Sequence, residues 1–145
     1  TMISPYIHGI KTDQVMSGDK AITVEEHRQE WDAILSDIAG AVDILAFQDG
    51  QVDYDELYDY LVVNKELADR YGMACWTNVE SFDRDMPIRF LPIKFDKLRM
   101  KLEAAKRCHY DKAITFEFSH FMSPQSAYIQ AHHLYDRYKE YFNIR

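Results

Sequence analysis

A chain of 145 residues, 47% hydrophobic and 14% aromatic, is long and apolar enough for one domain with a packed core, which argues against disorder. Its formal charge of −7 argues against nucleic acid and against anionic membranes as partners. No stretch is long and apolar enough to insert in a bilayer, and Thr1-Met2-Ile3 lacks the layout of a signal peptide.

The first apolar run is Met2 to Ile7, followed by a polar loop from His8 to Ile22. Thr23-Val24-Glu25-Glu26 has the pattern of a capping box, in which the Thr hydroxyl takes an orphan backbone N–H and Glu26 reaches back. Trp31, Ile34, Leu35 and Ile38 then fall on one helical face, and Gly40 is placed to end the helix. The second run, Val42 to Gln48, closes at Asp49-Gly50. Asp53 with Glu56 is a second capping signal, before a helix whose face carries Leu57, Leu61 and Ala68, with Gly72 at its end.

The third run is Met73 to Glu80. A longer loop with Asp83, Asp85, Pro87 and Pro92 leads to a helix carrying Phe95, Leu98, Leu102 and Ala105 on one side. The fourth run is Lys112 to Ser119, and Ser123-Pro124 reads as the cap and first position of a last helix striped by Tyr128, Ala131, Tyr135, Tyr138 and Phe142. The two cysteines, Cys75 and Cys108, have no metal-type spacing and read as buried thiols.

Strand and helix signals thus alternate four times, with no hairpin signal between them, which implies an α/β fold with a parallel sheet and right-handed crossovers. Splitting each strand into its two faces separates a barrel from an open doubly wound sheet, whose central strands are apolar on both faces. Here Leu45 and Phe47 oppose Ala46 and Gln48, and Cys75, Thr77 and Val79 oppose Trp76, Asn78 and Glu80. In the fourth run Ile114 and Phe116 oppose Thr115, Glu117 and Ser119. One face suits a layer of outer helices, while the other turns polar toward the strand's C-terminal end, as the interior of a (β/α)₈ barrel does. A full barrel takes roughly 250 residues. The expectation is therefore a single domain over residues 1–145 that is half of a TIM barrel, a fragment of a longer one. Its open sheet edges would be met by an N-terminal half-barrel or by self-association.

The polar residues at the strand tops supply the candidate site. Glu80 and Glu117 are the candidate catalytic pair, since carboxylates on neighbouring strands about 4.8 Å apart can reach the roughly 5–9.5 Å separations of glycoside hydrolysis. Glu117 lies between two phenylalanines, and burial in such a strand would raise its pKa toward that of a general acid. Tyr6, Gln48, Asp49, Trp76, Asn78, Ser119 and His120 are the candidate substrate contacts, with Trp76 and Tyr6 able to stack on a sugar face. Asp49 reads equally as a turn residue, and Trp76 as core. His8 and His120 follow strand ends in a spacing too nonspecific to name a metal site, and no glycine-rich phosphate loop or Gly-x-Ser-x-Gly elbow is present, so no cofactor is assigned.

Ile3-Ser4-Pro5-Tyr6, Ile44 to Gly50, Trp76 to Phe82 and Phe116 to Pro124 together resemble the C-terminal half of an uncharacterised bacterial family of TIM-barrel proteins similar to glycoside hydrolases. The resemblance implies a carbohydrate-active domain that hydrolyses a glycosidic bond. It also implies an exported, periplasmic or cell-surface location for the full-length protein. It would place Gln48-Asp49-Gly50, Asn78-Val79-Glu80 and Glu117 at the barrel mouth. The alternative is a non-catalytic carbohydrate-binding or structural barrel.

Overall fold

The computed structural model describes residues 1–10, 21–85 and 89–145. Most of the expected polar loop, residues 11–20, and Pro87 lie outside the described residues. The first stave is interrupted at Ser4-Pro5, giving β1 (Met2–Ile3) and β2 (Tyr6–His8). It leads to α1 (Val24–Ile38), whose capping box forms as the sequence requires: Glu26 N donates to Thr23 Oγ1 and Thr23 N donates to Glu26. A 3₁₀ turn, Ala39–Ala41, connects α1 to β3 (Ile44–Gln51). Next come α2 (Leu57–Arg70) and β4 (Ala74–Glu80). Gly72 between them has φ +69°, the left-handed conformation that ends a helix and that glycine adopts without steric cost. After β5 (Phe82–Asp85) and β6 (Arg89–Pro92) come α3 (Phe95–Arg107), β7 (Lys112–Phe116), α4 (Phe118–Phe121) and α5 (Ile129–Phe142).

The main sheet is parallel throughout and runs in the order β1-β3-β4-β7, with β2 also paired to β3. Each stave lies beside the one before it in sequence. That sequential order belongs to a (β/α) barrel, whereas a doubly wound sheet reverses direction at a switch point. The helices cover one face, where Leu45, Phe47 and Cys75 join Leu35, Leu61, Leu67 and Ala105 in a continuous core. The opposite, inner face carries rows set by the register. Tyr6, Gln48, Asn78 and Ile114 are one row, and Glu80 and Phe116 belong to the next. Among the described residues no helix is long and apolar enough to cross a membrane.

Four expectations need correcting. The run Val42–Gln48 does not close at Asp49-Gly50, because β3 continues through both residues. The loop after β4 contains an antiparallel hairpin, β5 with β6, that no Asn-Gly or Asp-Gly signal announces. Asp53 and Glu56 make a turn, in which Glu56 N and Leu57 N both bond Asp53 O, and α2 begins after it without a side-chain cap. Ser123-Pro124 likewise forms a turn, with Gln125 N bonded to Ser123 Oγ, and α5 starts only at Ile129.

Candidate active site at the strand ends

Glu80 is the last residue of β4 and is 1% exposed. Its position in the strand turns it to the inner face, and its carboxylate lies directly over Gly50 of the neighbouring strand. A Cβ at Gly50 would stand 1.8 Å from Glu80 Oε2 and 2.3 Å from Oε1. Gly50 is therefore a seat for the carboxylate and not a turn residue.

Asp49 belongs to the other face. Its Oδ1 accepts from Glu80 N at 2.9 Å and from Lys101 Nζ at 3.1 Å, and Lys101 Nζ also reaches Glu80 O at 3.3 Å. Both charged side chains are buried, at 2% and 5% exposed. Asp49 and Lys101 thus hold the Glu80 peptide from behind, and Asp49 is corrected from a barrel-mouth substrate contact to half of a buried ion pair in the helix layer. The sequence carried a signal for Lys101. It lies three residues after Leu98 and four before Ala105, on the apolar stripe of α3, where a charge needs a partner.

The fourth stave is turned over relative to expectation. Asn78 pairs with Ile114 and Glu80 with Phe116, so Ile114 and Phe116 occupy the inner face while Thr115 sits beside Val79 toward the helices. Lys112 Nζ lies 4.7 Å from the centre of the Trp76 ring, a cation–π contact on that inner face. Glu117 lies outside the strand as the N-cap of α4, and its side chain is 27% exposed, so the expected burial between two phenylalanines does not occur. Its Oε1 accepts from His120 N at 2.7 Å and faces His120 Nδ1 at 2.6 Å.

The remaining candidates divide. Gln48 Nε2 donates to Ser4 O at 2.6 Å, and Asn78 Nδ2 stands 3.4 Å from Ser4 Oγ, which itself bonds Ala46 O. Asn78 Oδ1 is buried without a partner among the described residues, an acceptor left open on the inner face. Tyr6 is exposed, Trp76 is half-buried, and Ser119 and His120 are exposed beyond the end of β7. Phe82 brings Phe90, Phe116 and Phe121 into one aromatic cluster beside this segment. Among the described residues no three His, Cys, Asp or Glu side chains group as metal ligands. Both cysteines are free and buried, and burial pushes the Cys75 thiol up to about 12, which leaves it inert as a nucleophile.

Sequential parallel staves under outer helices, with polar residues at their C-terminal ends, define this molecule as part of a (β/α) barrel. The chain belongs to the DUF4434 family, a domain of unknown function whose model matches residues 1–128. Among solved structures it is similar to a protein of Bacteroides thetaiotaomicron VPI-5482 described as a "putative alpha-L-fucosidase", with 67% identity and a TM-score of 0.91. That match covers 99% of this chain and 44% of the other, so this chain spans less than half of its relative's length. No curated protein matches it.

Proposed function

We propose that this chain is one half, by resemblance the C-terminal half, of a glycoside-hydrolase-like barrel, and that the assembled barrel hydrolyses a glycosidic bond at the ends of β4 and β7. Glu80 and Glu117 are the proposed carboxylates, with Tyr6, Gln48, Trp76, Asn78, Ser119 and His120 as the proposed substrate contacts. The observation that carries this reading is the seat of Glu80. Glu80 places a buried carboxylate, 1% exposed, on the inner face at the C-terminal end of a strand, the end at which barrel active sites are built. The neighbouring stave gives up a side chain at Gly50 to make room for it.

Similarity to a protein described as a fucosidase puts terminal α-L-fucosides first on the substrate panel. An exported, periplasmic or surface location for the full-length protein belongs to the same proposal. The test is turnover of aryl glycosides, α-L-fucoside included, by the full-length protein and by its Glu80→Gln and Glu117→Gln variants. Each substitution is expected to abolish hydrolysis while leaving the melting temperature in place. Full activity in both variants would sink the assignment of these two carboxylates, and glycan binding without turnover in the unaltered protein would establish the non-catalytic reading instead.

A further inference from the structure

The carboxylate of Glu117 is already engaged. One oxygen, Oε1, meets both the main-chain N–H and the ring Nδ1 of His120. A carboxylate bonded to Nδ1 of an imidazole holds the ring in the Nδ1–H tautomer and leaves Nε2 as the basic edge. That edge is open here. The His120 side chain is 75% exposed, and Nε2 has no hydrogen-bond partner among the described residues.

The main chain around the pair is pinned. Ser81, the residue after Glu80, donates its N–H to Phe116 O at 2.7 Å and its hydroxyl to Glu117 O at 3.1 Å. Ser126 Oγ donates to His120 O, and His132 Nε2 lies 2.9 Å from Ser126 O. The Phe121 ring flanks the imidazole at 6.1 Å. Ser81 thus ties the main chain that follows Glu80 to the main chain of Phe116 and Glu117.

We propose that His120, through Nε2, is a proton-transfer residue of this site and that Glu117 is the positioning residue that fixes its tautomer. The inference rests on the hydrolase reading above and changes the roles within it. Nε2 takes a proton from water as the water oxygen forms its bond to the anomeric carbon. The bond from that carbon to the leaving oxygen breaks with its electron pair on oxygen, and Glu80 delivers its proton there. Histidinium and carboxylate then return to their starting forms by exchange of one proton through solvent. Because water attacks opposite the leaving group, the first product has inverted anomeric configuration.

Two measurements test this. Long-range ¹H–¹⁵N spectra of the labelled chain at mildly alkaline pH, with His120→Gln to identify the ring signals, should show the Nδ1–H tautomer, and Glu117→Ala should shift the ring toward Nε2–H. Glu117→Gln is the second variant should the alanine unfold α4. In the full-length protein, His120→Ala should lower kcat by about 100-fold or more with little change in KM, as loss of acid–base catalysis does. Combining it with Glu117→Gln should add little, as for residues that act as a unit. An Nε2–H tautomer in the unaltered chain, retained anomeric configuration, or His120→Ala turnover within about twofold of the starting rate overturns the proposal and leaves the hydrolase reading standing. No turnover by the unaltered protein overturns both.

Discussion

At the scale of single residues, Gly50 and Lys101 have structural roles that their residue types do not announce. Asp49-Gly50 is a common turn pair, and its composition alone favours a turn over a strand. What overrides that propensity is a tertiary contact from another stave, the Glu80 carboxylate over Gly50, and no local pattern encodes it. Gly50→Ala should therefore destabilise the chain by about 1–3 kcal/mol through overpacking. The control is Gly40→Ala, where an added Cβ meets nothing within 4 Å and stability should hold or rise by about 0.4–1 kcal/mol. Urea unfolding of the two variants side by side checks both; equal midpoints would show that the Glu80 seat is soft.

The buried pair behind Glu80 yields a second residue-scale prediction. Lys101→Met leaves the Asp49 carboxylate buried without its cation and should cost about 3–5 kcal/mol. Asp49→Asn combined with Lys101→Met removes both charges while keeping an oxygen that can accept from Glu80 N. The double variant should recover most of that loss in the same unfolding measurement, and a double variant no better than Lys101→Met would show that packing, not charge, is what Lys101 supplies.

At the scale of elements, α1 and α2 are joined by a polar contact inside an apolar seam. His27 is fully buried, with Nε2 2.6 Å from Asn64 Oδ1 and with Phe47 and Tyr60 rings 5.2 and 5.4 Å away. Burial, the larger influence, holds its pKa below the usual 6.5 against the opposing pull of the Asn64 bond. The neutral ring is thus the folded form, and the unfolded chain binds a proton first as pH falls. This contribution to stability is complete above pH 6.5 and is lost progressively below it, toward the depressed folded value. Urea midpoints should accordingly fall between pH 7 and 5, and His27→Gln should flatten that part of the profile. An unchanged slope in the variant would move the titration to another group.

The elements also show where periodicity is readable and where it fails. The capping box of α1 and the left-handed Gly72 follow from local rules, and both formed. The fourth stave did not follow them. Phe116 and Glu117 alternate as a strand would, yet the strand ends at Phe116 and Glu117 turns to cap α4. Alternation fixes two faces but not which of them meets the helices; only the pairing of Glu80 with Phe116 does that. Inward-facing Phe116 is thus a consequence of register, which the run of residues alone leaves open.

At the scale of the whole molecule, alternating strand and helix signals were enough for a parallel sheet, and the polar strand tops were enough for a barrel. Among the described residues the sheet ends at β1 on one side and β7 on the other, and a strand edge with unpaired main-chain groups is a template for association. The β7 side also carries exposed aromatic surface, with Phe116 48% and Phe118 51% exposed. Surface of this kind in a domain spanning 44% of its relative is suited to the rest of a barrel or to a second copy. The 145-residue chain on its own should therefore self-associate at micromolar concentration, seen as a concentration-dependent sedimentation coefficient. Phe116→Lys places a charge on the inner face at the edge, where lysine discourages pairing, and should shift the chain toward monomer without lowering its helix content. An unaltered chain that sediments as a monomer at every concentration would mean that the twist of the four staves protects the β7 edge without help from a partner.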